Sequence, residues 1–496
     1  MGRKSRLKQE RRIRAAYERR WSGFTPHYPP NAEYVRAEAA SKSETYLRAL
    51  CDKTFLSLWS YPNTFTDDGK ELCDLLVVFE NTVIIFSDKD CEFPDSGNLD
   101  LDWSRWYRRA IERSAEQLFG AERWIRNHPD RIFLDAKSTK PFPIPIPINE
   151  NTVFYRLVVA HGSGERCVRE LGQSPSLMVN SAVVGDDHVR PRAQGGLPFM
   201  VGQVNPAKGF IHVLDDLTLD ILLRTLDTFT DLCSYLKKKE QCVRKGIHLA
   251  GTGEEELLGF YLMTMNEQNE YDFVFSEQDL NHVSLDEGFW QRFLESDQRK
   301  SQRAANRSSY LWDGLIERFT QHFLDGTSPY MTDTTLASHA TIFRFFAREP
   351  RIRRRILSDA LLDMVEVTPA DMRRIGVIPP SRHGDPHFVF LLLPHPPSMA
   401  QQAYREARFT HLEMCAQVVK LKYPEALDIV GVATESGTST GRSEDAIYFD
   451  ARTWTREMAS RAAEDQQRLQ ILVAPTTQGE KVYDYPIDDL LPNVGE

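Results

Sequence analysis

Residues 70–90, KELCDLLVVFENTVIIFSDKD, restrict the fold more than any other stretch, because two runs rich in Leu, Val, Ile and Phe flank the dipeptide Glu80-Asn81. This pattern predicts a tight β-hairpin with a two-residue turn in which Asn81 can take a positive φ. Phe79 then pairs with Thr82, and counting outward sets Asp74 opposite Ser87. Side chains alternate faces along each strand, so Asp74, Ser87 and Lys89 share one face and Asp88 points to the other. A carboxylate, a hydroxyl and an ammonium therefore meet on one surface. Carboxylate oxygens hold hard cations such as Mg²⁺, and a lysine can stabilise an attacking hydroxide and the charge of a transition state.

The flanking segments extend the pattern. Ser43-Glu44-Thr45-Tyr46-Leu47 opens a helix expected to run to about Leu58. Downstream, Trp103, Trp106, Tyr107, Ala110, Ile111, Ser114, Gln117, Leu118, Ala121, Trp124 and Ile125 follow the three-four spacing of one helix face, with Gln117 inside the apolar stripe. A Pro-rich connection, Pro141 to Pro147, leads to an apolar strand between Val153 and Ala160. Ordinary structural roles stay open at each position. Asp74 and Lys89 can be a cross-strand ion pair, Glu44 a first-turn acid facing the helix dipole, and Gln117 a buried amide bonded to backbone.

Taken in order, helix, three strands, helix and strand, residues 41–165 resemble the PD-(D/E)xK, or restriction-endonuclease-like, nucleases. The resemblance implies an α/β fold, a restriction-endonuclease-like mixed sheet flanked by helices. Asp74 matches the acid of the second strand, and Ser87-Asp88-Lys89 aligns with the acid-x-Lys signature of the third, with serine where the second metal-binding carboxylate usually stands. Asp88 could replace it only through a bulge that shifts the register. Glu44 matches an acid often supplied by the first helix. Gln117 matches a glutamine of several branches, although Ala121 stands where a tyrosine often follows. The implied catalytic residues are Asp74, Lys89, Gln117 and Glu44. Asp74 and Glu44 would hold Mg²⁺ or Mn²⁺, and the activity would be phosphodiester hydrolysis, with DNA ahead of RNA as substrate. The alternative is a catalytically inactive nuclease-fold protein that binds nucleic acid or a protein partner.

At 496 residues the chain exceeds what one core can support, about 250–300 residues, so two or three domains are expected. The divisions suggested are a basic arm at 1–35, the nuclease-like domain at 36–250, ended by the Gly-rich break Ala250-Gly251-Thr252-Gly253, and a mixed α/β domain at 251–496. The first twenty residues carry a formal +7 and the rest −17. Such an arm can bind phosphate backbone by counterion release or serve as a solvated tail. Apolar runs such as Phe388 to Leu393 fall far short of the roughly 18 residues of a membrane span, and no leader pattern opens the chain, so a cytoplasmic protein is expected.

The seven cysteines, Cys51, Cys73, Cys91, Cys167, Cys233, Cys242 and Cys415, form no CxxC pair or zinc spacing and read as reduced, mostly buried thiols. In the C-terminal half, helices are expected at Tyr310–Phe323, Thr335–Arg348 and Met399–Lys422, with strands at Phe388–Leu393 and Ile429–Thr434. The strand, long helix, strand order suggests a small α/β unit. This half could supply an oligomer contact or a protein-partner surface. Arg344, Arg348, Arg351, Arg353, Arg354 and Arg355 could grip phosphates, though a solvated or acid-paired helix face is the plainer reading. Gly437 to Ser443 looks like a mobile turn, and His161-Gly162-Ser163-Gly164 like a loop able to offer amides to an anion.

Overall fold

The computed structural model describes residues 42–55, 59–172, 174–267, 270–275, 281–324, 336–382, 384–437 and 443–473, which belong to two compact units dividing at residue 300. The basic arm at 1–35 and the tip of the 437–443 turn lie outside the described residues.

The first unit is built on a six-stranded sheet. Helix α1 (Lys42–Phe55) precedes the strands β1 (Ser60–Thr66), β2 (Glu71–Phe79) and β3 (Thr82–Asp90), and these three form an antiparallel meander. The hairpin register is the expected one, Phe79 opposite Thr82 through Leu75 opposite Phe86. The left-handed turn residue is Glu80, with φ 50°, where Asn81 was expected, so the first turn position takes the unusual conformation. The apolar stripe forms one helical rod, α2 (Leu99–Tyr107) and α3 (Arg113–Asn127), joined through a π-helical turn at Arg108–Glu112. After the short β4 (Ile132–Phe133), β5 (Val153–His161) lies parallel to β3. A right-handed helical crossover is the general means of linking such parallel strands. Strand β8 (His212–Leu214) extends the sheet to the order β4-β1-β2-β3-β5-β8.

Alternation along the strands divides the core between the two faces. Leu76, Val78, Val83 and Ile85 pack with Trp103, Trp106, Ile111, Leu118 and Ile125 of the rod. On the other face Phe86 meets Phe55 of α1, and Phe79 meets Trp59 and Phe229. The indole of Trp106 donates to Cys91 O at 3.1 Å and His161 O at 3.3 Å, tying together the chain at the ends of β3 and β5. Gly162 completes this junction with φ 91°, and a Cβ there would lie 2.3 Å from Cys91 O. Only glycine fits that approach.

The unit does not end near residue 250. Strand β9 (His248–Gly251) is an inner strand of a second sheet, between β6 (Met178–Val184), which pairs on its other side with β7 (Met200–Gln203), and β10 (His282–Leu285). The glycines expected to mark a domain boundary instead mark the turn into the helix Glu254–Met263. All three glutamates that open this helix are buried: Glu254 pairs with Lys239, Glu255 accepts from Ser176 and Glu256 accepts from the Gly288 and Trp290 amides. Their partners come from distant segments, which local composition does not disclose.

The second unit carries the expected strand-helix-strand. Strand β12 (His387–Leu393) is parallel to β13 (Asp428–Glu435) across the helix Gln401–Lys422, and β11 (Arg374–Ile378) and β14 (Glu444–Asp450) flank them antiparallel. Four arginines of the arginine-rich segment, Arg351, Arg353, Arg354 and Arg355, are buried in the first turns of the helix Arg351–Val367. Arg351 and Arg354 pair with Asp313, Arg355 donates to Asn306 and Arg353 lies beside Glu349. These four arginines bind the unit's own groups, not a phosphate surface. Among the described residues no helix is long and apolar enough to cross a membrane.

Candidate functional site

The β2–β3 ladder closes at Leu75–Phe86, and one residue further the Asp74 side chain takes over the pairing. Its Oδ2 accepts from the Asp88 amide at 2.7 Å and lies 3.8 Å from Lys89 Nζ. On the same face Ser87 Oγ donates to Gln117 Oε1 of α3 at 3.4 Å. The structure thus brings Asp74, Ser87, Lys89 and Gln117 together beneath the rod. Glu44 is placed on the helix of the opposite face. Since Phe55 meets Phe86 and the Cys51 thiol feels the Asp88 carboxylate, α1 runs antiparallel to β3, and its first turn with Glu44 lies toward the Lys89 end of the strand.

Burial governs the electrostatics. Asp74 is only 3% exposed, and loss of hydration pushes its carboxyl up to about 7 against the opposing pull of Lys89 and the Asp88 amide. The neighbouring Glu71 carboxyl adds to the rise. Glu71 went unnoticed in the sequence because strict alternation sets it on the far side of β2.

Asp88 points to the α1 face, as alternation requires, and is locked there. Its Oδ1 meets His161 Nε2 at 2.5 Å, while His161 Nδ1 bonds Asp216 at the start of the helix Asp216–Thr225. The Gly162 amide donates to the other Asp216 oxygen at 3.3 Å, so the glycine loop after β5 holds one of this chain's own carboxylates. Desolvation disfavours the imidazolium, but the two flanking carboxylates outweigh it and raise His161 to about 10. A folded value above the ordinary 6.5 means that this stabilisation is complete below pH 6.5 and is lost as pH rises toward 10. His161→Gln is therefore expected to lower the melting temperature by roughly 2–4 °C near pH 6.5, with the difference fading by pH 10. Thermal melts of both proteins across that range check it, and a difference independent of pH would contradict the ion-pair origin.

The donor set is one of hard oxygens: the carboxyls of Asp74 and Glu71 and the Ser87 hydroxyl beside an ammonium. Mg²⁺ keeps several waters and needs only one or two carboxylates, so these residues fit a hydrated divalent ion. Among the described residues no group of three or more His, Cys, Asp or Glu side chains forms a ready metal cage. The cysteines around the site are not reactive thiols, since burial pushes both Cys51 and Cys73 upward. Comparison with protein-family models, curated proteins and solved structures gives no match.

Proposed function

We propose that the first unit is a restriction-endonuclease-like module that hydrolyses phosphodiester bonds in nucleic acid, DNA ahead of RNA, with Mg²⁺ or Mn²⁺. The observation that carries this reading is the Asp74–Lys89 pair on the rod-facing side of a sheet where an antiparallel meander passes into a parallel strand. Its support is the element order, helix, three strands, helix and strand, together with the hard-oxygen donors. Asp74 would hold the ion, whereas Glu44, the other metal ligand the resemblance implies, stands on the helix that covers the opposite face of the sheet. A bound divalent ion supplies the Lewis acid and lowers the pKa of attacking water. The Lys89 ammonium, about one-third exposed, can reach a phosphate and stabilise its developing charge. The Gln117 amide can orient water or a phosphate oxygen once it leaves Ser87.

A specific observation favours a second reading. Asp88, the one acid in the Ser-Asp-Lys segment, is held by His161, and Ser87 is held by Gln117. A relic of the same fold that binds nucleic acid or a protein partner without cleaving would keep those contacts. The experiment is cleavage of linear, circular and single-stranded DNA and of RNA by the full chain, with Mg²⁺, Mn²⁺ or chelator. Metal-dependent cleavage is the expected result. Nucleic-acid binding with no cleavage and no divalent-ion binding would replace the enzyme by the relic.

A further inference from the structure

We infer that Glu71 supplies the second carboxylate of the divalent-cation site, in place of the acid missing at Ser87. The inference rests on the nuclease reading and deepens it.

The argument begins with strand register. From Ser60 opposite Val77 to Thr64 opposite Cys73, β1 and β2 pair in step, but the next pair is Phe65 opposite Glu71. One residue of β2, Leu72, is therefore extra. A bulge of this kind sets two residues against one and reverses the alternation beyond it. Without it, Glu71 would project with Cys73 and Leu75 toward α1. With it, Glu71 turns to the side of Asp74, so the two carboxyls stand on one face near the end of β2. Glu71 itself is exposed, whereas Asp74 and Ser87 are buried, so the pair presents one outer and one inner carboxyl beside Lys89.

Two carboxylates on one face repel, and a cation shared between them relieves the repulsion. Lys89 does not fill that role alone, because its Nζ is 3.8 Å from the nearer Asp74 oxygen and its side chain remains partly in water. A small, hydrated divalent cation with two carboxylate ligands and waters suits the arrangement. The serine at position 87 then loses its meaning as a defect. On β3 an aspartate there would occupy the fully buried position whose hydroxyl now bonds Gln117, while β2 presents a carboxylate to the same face from a more accessible residue.

The test is Mn²⁺ binding to the full chain, followed by electron paramagnetic resonance and calorimetry, a readout that needs no turnover. Glu71→Gln is expected to weaken binding by at least about tenfold with the melting temperature unchanged, and Glu71→Asp to restore part of it. Adding Ser87→Asp to Glu71→Gln should recover binding by moving the carboxylate to β3. Binding as tight in Glu71→Gln as in the native chain, yet lost in Asp74→Asn, overturns the role of Glu71 and leaves the nuclease reading standing. A native chain that binds no Mn²⁺ overturns both.

Discussion

Asp74→Asn is expected to reduce metal-dependent cleavage by at least about 10³-fold while leaving the protein as stable as the native chain, or more so, at pH 7.5. The two halves of this result have one cause. Asp74 is buried, and burial holds its carboxyl at about 7, above the ordinary 3.8. The folded state therefore keeps a proton that the unfolded chain releases, and stability falls as pH rises from about 4 to 7. Asparagine removes the charge that burial disfavours and keeps an oxygen to accept from the Asp88 amide. Lys89, left without its partner, remains partly hydrated. Lys89→Ala should cost about 10²–10³ in rate through loss of a charge-stabilising donor. Cleavage assays paired with thermal melts check both variants. Unchanged cleavage by Asp74→Asn would place the activity elsewhere in the chain.

Arg408→Ala should destabilise the second unit by about 3 kcal/mol, the low end of the usual cost of removing one partner from a buried ion pair, because Arg405 still compensates Asp445. The Arg408 side chain is inaccessible and pairs with Asp445 at 2.5 Å and Glu435 at 3.1 Å, with further bonds to Ser443. Removing it leaves the buried Asp445 to Arg405, which pairs with it at 2.5 Å, and the buried Glu435 to the Ser443 amide and hydroxyl, between the helix Gln401–Lys422 and the β13–β14 pair. Arg452 makes a similar pair with Asp428 at 2.7 Å, yet its side chain is half exposed. Asp428 is itself buried, but the Tyr448 hydroxyl still donates to it and removal of the half-exposed Arg452 side chain opens it to water, so Arg452→Ala should cost less, about 1–2 kcal/mol. Urea unfolding of the two variants separates these cases, and equal losses would show that burial is not what gives Arg408 its weight.

The site itself was only partly legible. The Asp74, Ser87 and Lys89 face follows from the period of two along β2 and β3 and from a turn of two residues, both local properties. The stripe from Trp103 to Ile125 announced the rod, and Gln117 within it does reach Ser87. Glu71 was hidden because the bulge at Leu72 arises from how β1 and β2 pair, with no glycine or proline to mark it. The Asp88–His161–Asp216 chain was hidden by distance, since 73 residues separate its first two members and 55 the last two. The arginines of Arg351–Val367 are acid-paired, one of the two plain readings of that face, but the sequence did not name their partners, because Asp313 and Asn306 lie on another helix and its lead-in.

By itself the amino-acid sequence determined the hairpin, its register, the amphipathic rod and the order strand, helix, strand in the second unit, because each is written in the local periodicity of apolar side chains. Tertiary structure alone decided which charges are buried and paired, where the first unit ends, and which second carboxylate stands beside Asp74. Those outcomes depend on low-dielectric surroundings and on strand pairings that distant segments assemble, and no local pattern encodes them.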